Sequence, residues 1–327
     1  MRKVILLILF ISAVLFFLFP KPANGWGFFG HKKINRMAVF CLPSEMMGFY
    51  KKHIEFITEH AVDPDKRRYA VQDEAARHYI DIDHYGPRAF DSLPQYWNKA
   101  LAKYSEDTLK AYGIVPWYID RMMYKLTEAF KKENTDLILR YSADIGHYIA
   151  DAHVPLHTTQ NYNGQLSNQK GIHAFWESRI PELNAEEYDY FVGQASYIES
   201  PVKRVWEIIK ESHSAVDSVL GFEKELNSTF PQDKKYSYET RGTTTLKNYS
   251  REYTLEYDKM IEGQVERRMR AAILTVSSAW YTCWINAGKP DLNKITDKDA
   301  ADSLNLVLKR EEEQQQKLKV MKGHEDE

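Results

Sequence analysis

Asp144-Ile145-Gly146-His147-Tyr148-Ile149-Ala150-Asp151, with Pro155-Leu156-His157 close behind it, is the stretch from which the reading of this chain grows. Upstream, Leu126, Phe130, Leu137, Leu139, Tyr141 and Ile145 follow a broadly helical period, so His147 and Asp151 fall four residues apart on a helix. That interval sets both side chains on one face, a turn apart, where they can grip one metal ion. Pro155 is expected to end the helix and turn the chain, so that His157 faces back toward the pair. His173-Ala174-Phe175-Trp176-Glu177 then repeats the four-residue step from histidine to carboxylate. Imidazole nitrogen and carboxylate oxygen without thiolate is the ligand mix of catalytic zinc, where an open position remains for water. One histidine with an acid at i+4 is usually an exposed helical pair. Two such pairs within 31 residues, with a third histidine between them, argue for a metal site. His60-Ala61-Val62-Asp63-Pro64-Asp65 and Ala76-Arg77-His78-Tyr79-Ile80-Asp81 add another histidine and a carboxylate in loop context.

Outside this stretch the apolar period stays helical. Ile34, Met37, Ala38 and Cys41 share a spacing of three to four, and Val205, Trp206, Ile209, Val216 and Leu220 suggest one face of the segment from Val202 to Leu220. Arg251 to Trp284 predicts one long helix stopped near Gly288-Lys289-Pro290. Few segments alternate with period two, so the expected class is all-α. Phe230 to Tyr249, polar and rich in threonine, is expected to be a loop or short insertion, and Asp63 to Pro87 and Thr158 to Gly171 to be loops. The chain has 327 residues, 43% of them hydrophobic and 28% charged, which excludes a disordered or collagen-like polymer. Its net charge of −2 supplies no global basic field for nucleic acid. Two cysteines exclude a disulfide-built scaffold and a four-cysteine zinc ribbon, and leave open whether Cys41 and Cys283 pair or stay thiols.

The first 25 residues are expected to be lost. Met1-Arg2-Lys3 is a basic start, Val4 to Phe19 is uncharged and apolar, Pro20 breaks the run, and Ala23 and Gly25 put small residues before a cut at Trp26. The apolar run is somewhat short for the roughly 20 residues of a spanning helix. Removal of Arg2, Lys3 and Lys21 makes the mature chain more acidic, and the product is expected to be exported, periplasmic or secreted, with no span left. The organisation is then a leader over 1–25, a single domain over 26–290, and a polar C-terminal helix or tail over 291–327, polar all round from about Lys309.

Taken in order, Trp26-Gly27-Phe28-Phe29-Gly30-His31, Val62-Asp63, His78-Tyr79-Ile80-Asp81, His147-x-x-x-Asp151, Pro155-Leu156-His157 and His173-x-x-x-Glu177 resemble the zinc-dependent phospholipase C family, whose fold the zinc-dependent single-strand nucleases share. The resemblance spans roughly Trp26 to Glu177. It implies a helical domain with three zinc ions in one cleft. Asp63, His78, His147 and Asp151 would hold one ion, and His157, His173 and Glu177 a second. The free amine and carbonyl of Trp26 would hold the third with His31, sharing Asp151. An α-amine ligates only as a free terminus, so removal of the leader would complete the site. The resemblance also implies that Asp63 accepts a hydrogen bond from the attacking water, a role no more favoured than that of a ligand alone. Asp144, one turn before His147, could orient a ligand or be an exposed helical acid, the latter slightly favoured, and His84 and His153 read as packing or surface histidines.

Such a site suits phosphodiester hydrolysis, and the substrate reading is divided. The short Trp26-to-His31 interval and Trp176 resemble the nuclease branch; Glu177 and the modest loop between His157 and His173 resemble the phospholipase branch, toward which the balance leans. Lys66, Arg67, Arg68, Arg77 and Arg88 are candidate phosphate binders, and Phe28, Phe29, Tyr79 and Tyr85 could stack bases or cover acyl glycerol. The partner expected is phospholipid or single-stranded nucleic acid, with no protein partner. A non-catalytic exported zinc-binding protein is the alternative from another class.

Overall fold

The computed structural model describes residues 27–68, 70–241 and 244–295. The leader, Trp26 and the tail from residue 296 lie outside the described residues. The longer helices are α1 (Gly27–Val39), α2 (Val115–Lys131), α3 (Thr135–Ala152), α4 (Pro201–Ser214), α5 (Val216–Thr229), α6 (Arg251–Met260) and α7 (Gln264–Asn286). Short helical turns fill the intervals, and the expected all-α class stands with one exception, an antiparallel hairpin of β1 (Tyr236–Arg241) and β2 (Thr244–Tyr249).

Helix α3 is the hub. It packs against α1, α2, α4 and α7, and among its residues only Leu137 and Tyr141 keep partial exposure. Surrounded in this way, it must bury Ser142, Asp144, His147 and Asp151 together with its leucines and isoleucines, so each polar group needs a partner. Its start is capped by the Asn134 side chain, which accepts from the Leu137 N–H at 2.9 Å, a cap worth about 1 kcal/mol. Its middle is pinned to α7, where the Trp280 indole N–H donates to the Ser142 carbonyl at 3.0 Å and the Tyr50 ring stacks on Trp280 at 4.9 Å.

Gly146 sets the approach of α1. A Cβ built there would lie 2.1 Å from Asn35 Oδ1, and Asn35 cannot swing away without losing the bond its amide donates to the Ala143 carbonyl at 3.0 Å. The close crossing lays the His31 ring flat on His147, centroids 3.8 Å apart.

Three expectations change. The long helix predicted from Arg251 is broken into α6 and α7, because Glu262 and Gly263 sit in the left-handed region with φ of 53° and 65°; the predicted stop holds, with α7 ending at Asn286 before Gly288. The segment from Val202 divides at Ala215 into α4 and α5. The stretch read as a loop forms the hairpin, where alternation shows along β1: Tyr236 and Tyr238 are exposed while Ser237 and Glu239 between and beyond them are half-buried. Cys41 and Cys283 are both buried free thiols, and burial pushes Cys283 up to about 12, so it is inert. Among the described residues no helix is long and apolar enough to cross a membrane.

Replacing Gly146 by alanine is expected to push α1 off α3 and to cost roughly 1–3 kcal/mol, read as a lowered urea midpoint with an unchanged slope.

Candidate metal centre

The donors converge on Asp151, which is fully buried near the end of α3. Its Oδ2 lies 2.9 Å from His78 Nδ1 and 3.2 Å from His147 Nε2. Its Oδ1 faces His31 Nε2 at 3.4 Å and His157 Nε2 at 3.9 Å. A second group adjoins it, with Glu177 Oε2 at 3.1 Å from His173 Nε2 and 3.5 Å from His157 Nε2. Three overlapping sets each bring their ligand atoms within 4.8 Å of one another: His31, Asp65 and His147; His78, His147 and Asp151; His157, His173 and Glu177.

Local chemistry aims these rings. His147 turns its Nδ1 to the Ala61 carbonyl at 2.9 Å, and His157 its Nδ1 to the His78 carbonyl at 2.7 Å. Each Nδ1–H donates outward, so each Nε2 lone pair is left for the cleft. Burial and the neighbouring His31 push His147 down to about 3, which keeps it a neutral imidazole. Burial also holds His78 below its ordinary value. Asp151 and Glu177 remain well below the usual carboxylate range: burial raises both, and the surrounding histidines outweigh it. Helix α3 supplies His147 and Asp151, and the turn Pro155–Thr158 supplies His157. Glu177 sits in a π turn, Phe175–Arg179, where Pro181 has no N–H to give the Glu177 carbonyl. The hairpin fastens that turn: Arg179 donates to the Tyr249 carbonyl at 3.0 Å and grips Glu239 through both terminal nitrogens.

The test of whether a cation belongs here is the state of the buried polar atoms. Both His31 nitrogens, His78 Nε2, Asp151 Oδ1, His157 Nε2 and Glu177 Oε2 are buried without a hydrogen-bond partner. Burying so many orphaned groups costs on the order of 1–3 kcal/mol each. A divalent cation ligated by nitrogen and oxygen removes that cost, so the residues fit one.

Of the positions singled out in the sequence, His31, His78, His147, Asp151, His157, His173 and Glu177 meet in this cleft. Asp63 does not. Its carboxylate turns away to His60 Nδ1 at 2.5 Å and Lys66 Nζ at 2.9 Å, which outweigh its burial and hold it below its ordinary value. Asp65, two residues on and fully buried, faces the cleft instead, 3.6 Å from His147 Nε2 and 3.7 Å from His78 Nδ1. The reason is the short helix Asp63–Arg67, whose turn aims alternate acids in different directions. Trp26 is outside the described residues, but Gly27 begins α1 against Ser178, where an added Cβ would meet Oγ at 2.8 Å. The chain therefore enters α1 beside the turn that carries Glu177.

Other expectations also move. Asp144 is not an exposed acid; it is buried and held by Arg67 through two bonds of 3.2 and 2.9 Å. Arg68 is buried with Nη1 4.0 Å from Asp65 Oδ1, at the cleft wall. Lys66 is spent on Asp63, Arg77 on Glu74, and exposed Arg88 on Asp91. Phe28 and Phe29 are partly exposed near His31, whereas Tyr79 is a packing residue. His153 is buried packing and His84 an exposed ring on Tyr112. Asp65 carries no signal in the sequence that separates it from Asp63, since each acid has a cation three residues on, Arg68 and Lys66.

The sequence profile of the family described as S1/P1 Nuclease matches residues 26–273. No curated protein matches the chain. Solved structures similar to it include the alpha toxin of Clostridium absonum, 14% identical over 87% of this chain and 67% of that one at a TM-score of 0.44. The alpha-toxin of Clostridium perfringens from an avian strain is 11% identical over 83% of this chain and 66% of that one at a TM-score of 0.47. The chain spans about two thirds of the length of either toxin.

Exchanging Asp65 for asparagine is expected to weaken metal retention by about 10–100-fold or more, whereas Asp63→Asn leaves it unchanged. Elemental analysis of the two purified variants after dialysis reads the difference, and equal metal loss in both would return Asp63 to the cleft.

Proposed function

Because the chain belongs to the S1/P1 nuclease family, a family of phosphodiester hydrolases, we propose that it is an exported zinc enzyme that cleaves single-stranded nucleic acid. The observation that carries the reading is the convergence of buried imidazoles on Asp151 and Glu177, with both His31 nitrogens, His78 Nε2 and His157 Nε2 left without a hydrogen bond. The residues that would hold zinc are Asp65, His78, His147 and Asp151 for one ion and His157, His173 and Glu177 for a second. His31 and the Trp26 terminus, with Asp151 shared, would hold a third.

When bound, zinc supplies a Lewis acid that lowers the pKa of coordinated water from 15.7 to about 7. Everything else falls to the chain. Packing sets four histidines against Asp151, and the Ala61 and His78 carbonyls fix the tautomers of His147 and His157. To Asp65 we assign the acceptance of a hydrogen bond from the attacking water, the role the sequence reading gave to Asp63. Arg68, beside it, is a cation for a non-bridging phosphate oxygen, where fixed charge lowers the barrier most. The exposed faces of Phe28 and Phe29 offer stacking for splayed bases.

The family match begins at residue 26, and Gly27 abuts the turn bearing Glu177; both support cleavage before Trp26 and a ligating terminal amine. A phospholipid substrate is the second reading. It is favoured by Glu177, which stands where the nuclease branch has the shorter acid. The sequence reading leaned that way, and the family match moves the weight to nucleic acid.

Purified mature protein is expected to degrade single-stranded DNA, to cleave bis-p-nitrophenyl phosphate, and to lose both activities to a chelator. Release of phosphorylcholine from phosphatidylcholine with DNA left intact would instead establish the phospholipid reading. No turnover of any of these at full zinc occupancy would leave a binding protein. A variant carrying one extra residue before Trp26 is expected to hold less zinc than the authentic terminus, measured by elemental analysis alongside N-terminal sequencing.

A further inference from the structure

On the far side of Glu74 from the metal centre, α2, α3 and the segment from Arg67 to Arg77 enclose a cavity of about 280 Å³. Five cations line it: Arg67, Arg77, Arg121, Lys125 and Arg140. Only two carboxylates, Glu74 and Asp144, share the wall, and both are already engaged. Asp144 takes the Arg67 fork, and Glu74 takes Arg77 and the Tyr148 hydroxyl. Arg121 and Lys125 have no carboxylate within ion-pair distance among the described residues; Lys125 Nζ lies over the Tyr141 ring, 5.6 Å from its centroid.

Lined in this way, the cavity holds an excess of positive charge in a partly desolvated space. Lys125 registers it: burial, and then Arg121 and Arg77, hold its ammonium below the ordinary lysine value. Water screens such repulsion without cancelling the charge, whereas a multivalent oxyanion neutralises it. Guanidinium forks match tetrahedral oxyanions in two-pronged contacts, and an ammonium adds a point charge. The volume lies near the lower end for ligand pockets, roughly 300 Å³, which suits a phosphate group with a small substituent and excludes a polymer.

We infer that this cavity is a second anion site, independent of the metal cleft, that binds the dianionic phosphate group of a small phosphomonoester or of inorganic phosphate. Glu74 is the partition between the two sites: it lines the cavity and its Oε1 lies 3.9 Å from His78 Nε2. The inference does not depend on which phosphodiester the cleft cleaves.

The test is titration calorimetry of the metal-loaded mature protein with inorganic phosphate and, separately, with glycerol phosphate. The wild type is compared with an R121Q/K125Q double variant and with R121Q alone. Both positions lie toward the surface of α2 and glutamine keeps its helix, and R121Q alone alters only an exposed side chain. Phosphate binding is expected to weaken by about tenfold or more in the double variant and by less in R121Q, with turnover in phosphate-free buffer unchanged. The ligand lost with the larger fold-change names the source of the phosphate group. Superimposable isotherms for the wild type and double variant would place all bound phosphate in the metal cleft and overturn the inference. So would a wild type that binds neither ligand.

Discussion

A carboxylate sealed from bulk solvent and ringed by imidazoles is the constraint around which this molecule is arranged. Asp151 is fully buried and faces His31, His78, His147 and His157 within 3.9 Å. Neutral imidazoles pointing lone pairs at a carboxylate repel unless a cation stands between them. The polypeptide therefore has to hold these groups together by force of packing, and α3 does so by being enclosed on nearly every side. The same enclosure explains why a helix in the middle of the core carries so many polar residues.

Each donor arrives on a different element, and each element is fastened separately. Asn35 fits against Gly146 and brings α1 with His31 onto α3. The backbone carbonyl of His78 orients His157, so one ligand's main chain aims another's side chain. Gln169, in the loop between His157 and His173, donates to the buried Glu223 at 2.7 Å, and Tyr253 and Lys235 meet the same carboxylate. The loop and the hairpin thus share one anchor, and the hairpin in turn holds the π turn through Arg179. Polar networks of this kind are costly when half-satisfied, so the hairpin supports the site even though it supplies no ligand.

Much of this was legible in linear form. His147 with Asp151 and His173 with Glu177 announce themselves because a four-residue interval on a helix becomes a shared face by geometry alone. Asp63 and Asp65 could not be ranked the same way. They sit in a helix of a single turn, where no long periodic pattern fixes which acid faces inward, and the choice is made by His60 and Lys66 capturing the first of them. Asp144 looked like a surface acid because its partner, Arg67, is 77 residues away. The hairpin was missed because its strands are short and polar: they pair locally, but what they pack against, Phe175 and Arg179, lies some seventy residues away.

From the order of its residues alone, this chain's helical class and its two four-residue histidine-to-acid pairs follow, because local periodicity and donor type need no knowledge of distant neighbours, and the resemblance of the ordered motifs adds the phosphodiester chemistry. Tertiary structure alone decided that Asp65 and not Asp63 faces the cleft, that Asp144 is bound to Arg67, and that a cation-lined cavity lies behind Glu74. Those are outcomes of burial and of pairing between segments far apart in sequence. Such pairings arise only when desolvation forces each charged group to find a partner or keep an excess.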